Sequence, residues 1–225
     1  MTAAETHAEL MKLGRLLGVP PARLSGLEAA APADLRALRG QVGERLFAAD
    51  REAFARVGLL ARTIPAAISA KVAEKVLSPM LAARATESLS PEKAGELAGR
   101  LPASFLADVA QHLDPMRTAD VVVGVPAAKI VEVAAELARR EDWVTMGEFV
   151  GHLPAATLRA TMSALDGAAM LQVWFVLDAK DRLDEIAAML TDEQAAALVA
   201  AADGLDEQFA DLLAHLSPEQ RARLS

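Results

Sequence analysis

One phrase recurs along this chain and limits what it can fold into. It begins with Leu or Val, continues with a small, acidic or proline turn residue, and runs on through a short helix-forming stretch. It reads L-S-P-E-K-A-G-E-L from Leu89, L-P-A-S-F-L-A-D-V from Leu101, L-D-P-M-R-T-A-D-V from Leu113 and V-P-A-A-K-I-V-E-V from Val125, starts that are twelve residues apart. After an interruption the phase resumes at Leu153, Leu165 and Leu177, again spaced by twelve, and loosens through Leu190, Leu205 and Leu216.

The opening of each unit predicts a helix start. Ser90, Asp114, Asp166, Asp178 and Thr191 are placed to accept hydrogen bonds from the orphan N–H groups of a first turn. Pro91, Pro115 and Pro218 fit that turn, where no backbone partner is lost. The ninth residue is apolar and the eighth polar in most units (Leu97 and Glu96, Val109 and Asp108, Val121 and Asp120), so each helix is amphipathic. Helices of two to three turns do not stand alone. Successive units must therefore stack, each burying its neighbour's apolar stripe.

Composition agrees with a helical chain: 53% of the 225 residues are hydrophobic, only 4% are aromatic, and Tyr is missing. Ala and Leu, which dominate, are strong helix formers. Residues 1–88 lie outside the rhythm and read as an N-terminal helical extension packed on the array. Within it we expect a short helix around His7 to Leu17, a turn at V-P-P-A, a longer helix from about Asp34 to Arg62, and helices over Pro65 to Leu77 and Pro79 to Leu89. The interruption reads as a longer helix through Arg140 and another from about Trp143 to His152.

The repeated phrase resembles the cytoplasmic amino-terminal domain of MgtE-type magnesium transporters over roughly residues 89–225. The residues that carry the resemblance are L-S-P-E-K-A (89–94), L-P-A-S-F-L-A-D-V (101–109), L-D-P-M-R-T-A-D-V (113–121), L-P-A-A-T-L (153–158) and L-T-D-E-Q-A (190–195). The resemblance implies an all-α, right-handed superhelix of short stacked helices that serves as an interaction module. In the family this domain precedes a CBS pair and a transmembrane pore. Neither is found in this sequence, so transport by this chain is not expected.

Charge narrows the partners. Residues 1–100 hold 14 Lys/Arg against 11 Asp/Glu, and residues 101–225 hold 9 against 20, within a net charge of -8. An acidic C-terminal part repels phosphates, and Arg36, Arg39, Arg45, Arg51, Arg56 and Arg62 are interleaved with acids, so no nucleic-acid partner is expected. No run reaches the ~18 apolar residues of a membrane span, and the N-terminus has acids where a signal peptide needs a basic start. A cytoplasmic location is the expectation, and the absence of Cys is compatible with it.

The inventory for chemistry is thin. His112, His152 and His215 each precede a repeat-leading Leu, where an imidazole donates to the free carbonyls of a helix end. No metal-ligand spacing joins them. Asp178, Asp181, Asp184 and Glu185 form the densest acidic cluster, which the dipole of a helix start explains. No phosphate loop or nucleophile elbow is present. No enzyme, metal or cofactor is expected.

What remains is a set of bulky apolar residues. Trp174 and Phe175 stand where sibling units carry mostly smaller residues, and the interruption contributes Trp143, Met146 and Phe149 on one helix face. With Met162 and Met170 these are the candidate binding residues. Three readings stay open: an ordinary core joint, a cavity for an apolar small molecule, or an exposed patch for a partner helix or second copy. The sequence leads to a non-enzymatic binding or regulatory module for a protein partner, with self-association included. The alternative is a soluble carrier or sensor of a lipid or isoprenoid.

Overall fold

A computed structural model describes residues 3–48, 66–87 and 89–224. The chain is all-α: among the described residues there is no strand. In chain order the α-helices are α1 (Ala3–Leu17), α2 (Pro32–Ala48), α3 (Ala66–Val76), α4 (Pro79–Thr86), α5 (Pro91–Ala98), α6 (Ala103–Ala110), α7 (Pro115–Val123) and α8 (Ala127–Arg139). They continue with α9 (Trp143–Val150), α10 (Ala155–Met162), α11 (Gly167–Phe175), α12 (Leu183–Ala188), α13 (Asp192–Ala200), α14 (Asp206–His215) and α15 (Pro218–Arg223). Two 3-10 helices, Pro21–Leu27 and Lys180–Arg182, complete the set. The first of these begins at Pro21, within the turn expected over Val19 to Ala22, and runs beyond it. The second half of the helix expected through Arg62 lies outside the described residues.

The helix starts follow from local chemistry. The side chains of Ser78, Ser90, Asp142, Asp166, Thr191 and Ser217 each accept from the backbone N–H three residues on, and Asp114 from that of Met116. Thr191 and Gln194 form a reciprocal capping box. Pro occupies the first turn of α4, α5, α7 and α15. Asp178 is the exception among the expected caps. The 3-10 helix beside it is preceded by Ala179 with no side-chain cap, and Asp178 is drawn to cations instead.

Two compact units divide the chain at 49/50 and 164/165, not at 88/89. The first consists of residues 1–49 and 165–225, the second of residues 50–164. In the first, α1 packs against α2 and α14, while α11 packs against α13 and α14. Leu10, Leu13, Leu35, Leu171, Leu183, Ile186, Leu198 and Leu212 are all buried there, each side chain contributing ~1.5–3 kcal/mol of transfer free energy. The N-terminal hairpin thus shares a core with the last helices.

In the second unit helices pack chiefly on the second one along. The helices α3, α5 and α7 form one row; α4, α6, α8 and α10 form the other, and α9 packs on α8. Helix starts at Pro79, Pro91, Ala103, Pro115 and Ala127 are twelve residues apart. Close approach within the first row depends on glycine. A Cβ on Gly95 would overlap the carbonyl of Gly124, and one on Gly124 would overlap that of Pro91, so α5 and the end of α7 meet backbone to backbone.

Candidate functional site

The second unit holds an apolar cavity of about 220 Å³ between its two rows of helices. Its walls come from every helix from α3 to α10. Leu77, Leu89, Leu101, Leu113, Val125, Leu137 and Phe149 stand along it at twelve-residue intervals. The ninth-place residues Leu97, Val109, Val121 and Val133 face it as well. The stripe that makes each short helix amphipathic is therefore the stripe that lines the cavity. Leu77, Leu89, Phe105, Leu113 and Phe149 are only half-buried, and the cavity is partly open to solvent.

The lining is almost free of polar groups. Among the described residues Ser69, Thr86, Thr145 and Thr161 bring the only polar side chains, and no charged residue lines the cavity. Thr86 Oγ1 donates to Ala82 O at 2.8 Å and Thr161 Oγ1 to Thr157 O at 3.0 Å. Both protons are thus turned back onto their own helices.

The structure separates the seven residues singled out by bulk. Met146 and Phe149 line the cavity. Trp143, at the start of α9, is half-buried, and Met162 is buried in α10; neither is among the wall residues. Met170, Trp174 and Phe175 belong to the first unit, where Trp174 is 2% and Phe175 1% exposed. Both rings are core, so they offer no surface to a partner. The physical reason is general: a large ring fills space, whereas a cavity persists where alanines and valines leave it open.

Phe175 meets the His7 ring edge-on, with centroids 5.7 Å apart. Lys180 Nζ lies 5.7 Å from the Phe175 ring centroid and donates to the carbonyls of Trp174 and Phe175 at 2.9 Å each. Its remaining partner is Asp211. Both carbonyls belong to the last turn of α11, so Lys180 acts as a half-buried cap tying α11 to α14. Burial holds the Lys180 ammonium below the ordinary lysine range, with the Asp211 charge opposing that shift.

Sequence reasoning missed the charged network that lies beside Lys180 in the same unit. Lys12, 2% exposed, donates to Glu9 Oε1 at 3.0 Å and to Asp178 Oδ1 at 2.6 Å. Arg39 Nη2 reaches both Asp178 oxygens at 2.9 and 3.0 Å, and its Nε lies 3.4 Å from Glu9 Oε2. Arg36 adds a contact to Glu9 at 3.0 Å. Burial works to raise the Asp178 carboxyl, but the charges and hydrogen bonds of Lys12 and Arg39 outweigh it and hold the group below the usual aspartate range. A lysine between Leu10 and Leu13 on the buried side of α1 was the available signal.

Asp184, Glu185 and His215 take structural partners. Asp184 accepts from Ser217 N at 2.7 Å, and Glu185 pairs with Arg182. His215 Nδ1 donates to Asp211 O at 2.8 Å, closing the last turn of α14. Among the described residues no three His, Asp or Glu side chains are grouped to hold a metal, and no helix is long and apolar enough to cross a membrane. No protein family, curated protein or solved structure matches this chain.

Proposed function

We propose that the second unit is a receptor for an apolar small molecule, and that the chain works as a non-enzymatic carrier or sensor of it. The observation that supports this is the cavity of about 220 Å³ with hydrocarbon walls and, among the described residues, no charged lining residue. An apolar occupant would remove those walls from water, at ~25 cal/mol per Å² of apolar surface buried.

The same proposal takes the stacked helices as a superhelical repeat of the kind found in the amino-terminal domain of MgtE-type transporters. It is supported by the twelve-residue spacing of helix starts and of cavity-lining residues. A second reading, docking of a protein partner, is favoured by one feature of the same unit. Ile68, Val72 and Val76 are exposed at spacings of four along α3, and Met80 follows them, which makes an apolar stripe on a helix surface.

The test of the receptor reading is mass spectrometry of the full chain purified from its expression host, first native and then denatured. A lipophilic species released on denaturation, or reversible displacement of an anilinonaphthalene sulfonate probe by decanol, supports it. A chain that carries no lipophile and shows no displaceable probe overturns it.

A further inference from the structure

We infer that the molecule held in the second unit is a single unbranched hydrocarbon chain, with about nine carbons buried and its polar end left in solvent. This inference rests on the receptor reading and narrows its ligand. Three observations lead to it.

The first is the wall. A polar or charged group taken inside would meet no partner, because Thr86 and Thr161 spend their protons on Ala82 O and Thr157 O. Ser69 and Thr145 also have partners, and among the described residues no Lys, Arg, His, Asp or Glu lines the cavity. Burying an unpartnered polar group is strongly unfavourable. The buried part of the ligand is therefore hydrocarbon, and selection by head group is not built into the cavity.

The second is shape. A compact void of this volume is close in size to one or two large side chains, and such a side chain touches about six to twelve residues. This cavity touches residues of all eight helices from α3 to α10. A small volume bounded by so many elements is thin and drawn out along the stack. An extended chain fits it, whereas a fused-ring or globular molecule of equal carbon count does not.

The third is size. An apolar pocket of ~150 Å³ takes the six carbons of benzene, so by proportion a cavity of about 220 Å³ takes roughly nine. The cavity is partly open to solvent, and a longer chain continues there.

The experiment is displacement of the anilinonaphthalene sulfonate probe from the full chain by straight-chain alcohols from hexanol to tetradecanol, by decanoate, and by adamantanol. Adamantanol has the ten carbons of decanol in a compact cage. Affinity should rise about fourfold per methylene, then level near nine carbons. Decanoate should bind within a fewfold of decanol. Adamantanol should bind at least tenfold more weakly than decanol once each affinity is divided by its octanol–water partition. Ala98→Leu and, separately, Ala134→Leu place three more carbons in the cavity and should move the break to chains shorter by about three carbons. Circular dichroism checks that each variant stays folded.

Adamantanol equal to decanol overturns the chain geometry. A strong preference for the carboxylate overturns the polar end in solvent. A length dependence without a break, or a break that neither variant moves, overturns the assignment to this cavity. Failure of the alcohols and adamantanol alike to displace the probe overturns the receptor reading itself.

Discussion

Asp178→Ala tests the charged network of the first unit. The substitution removes the carboxylate that accepts from Lys12 at 2.6 Å and from Arg39 at 2.9 and 3.0 Å. Lys12 is 2% exposed and keeps only Glu9, which Arg36 and Arg39 also share. Breaking a fully buried pair by removing one partner costs ~3–5 kcal/mol. The Asp178 side chain is 37% exposed, so screening lowers the expected cost to about 2–3 kcal/mol. Lys12→Met keeps the buried volume, and it leaves Glu9 with two arginines and Asp178 with Arg39. Its cost should stay below about 1 kcal/mol, because an apolar isostere can replace a buried ion without leaving a charge alone. The double variant should cost clearly less than the two single losses added together, since Asp178→Ala does its damage through Lys12.

Urea unfolding followed by circular dichroism measures all three variants. The acid dependence has a defined direction. Asp178 has its carboxyl lowered in the folded state, so its contribution is present above the unfolded value of ~3.9 and is lost as pH falls through the folded value. The gap between wild type and Asp178→Ala should be constant from pH 7 to about 5 and close at more acid pH. An Asp178→Ala loss under about 0.5 kcal/mol, or strict additivity with Lys12→Met, would refute the network.

Two further substitutions probe packing. Gly95→Ala should destabilise by ~1–3 kcal/mol despite the better helix propensity of Ala, because its Cβ meets the Gly124 carbonyl. Gly40→Ala in α2, with open space around it, should stabilise by ~0.5–1 kcal/mol; melting temperatures that move in the same direction for both would contradict the close approach. Trp174→Ala should cost ~3–5 kcal/mol as a core truncation, measured by urea unfolding. A near-neutral result would place the ring outside the core.

The helix starts were legible because capping is local. Ser90, Asp114, Asp166 and Thr191 each satisfy an N–H within two or three residues, and the sequence carries that information wherever it occurs. The interruption after Val125 was legible as two helices but its phase was not. Leu137 and Phe149 continue the twelve-residue spacing inside helices α8 and α9, without a turn residue after them, so the phrase disappears while the buried stripe persists. The step of four from Phe149 to Leu153 then resets the phase.

The rest depended on distant parts of the chain. Nothing local tells Lys12 that Asp178 will stand beside it, and the acid reads equally well as a helix cap. The grouping of residues 1–49 with 165–225 is hidden for the same reason. The cavity was sought among the bulkiest residues, yet it is walled mainly by Ala, Val and Leu of the ordinary repeat positions. Bulk is visible in a sequence. Unfilled space between two rows of helices is a property of their separation, which no single residue encodes.

The central claim is that an apolar molecule sits between the two helix rows of the second unit, and methyl-resolved NMR with decanol tests it most directly. The Leu101, Val109, Val121 and Leu137 methyls should show shifts that saturate together, and Leu171, Leu183, Ile186 and Leu198 of the first unit should show none. Shifts confined to exposed methyls such as Val76 and Met116, or no saturable shift at all, would contradict it.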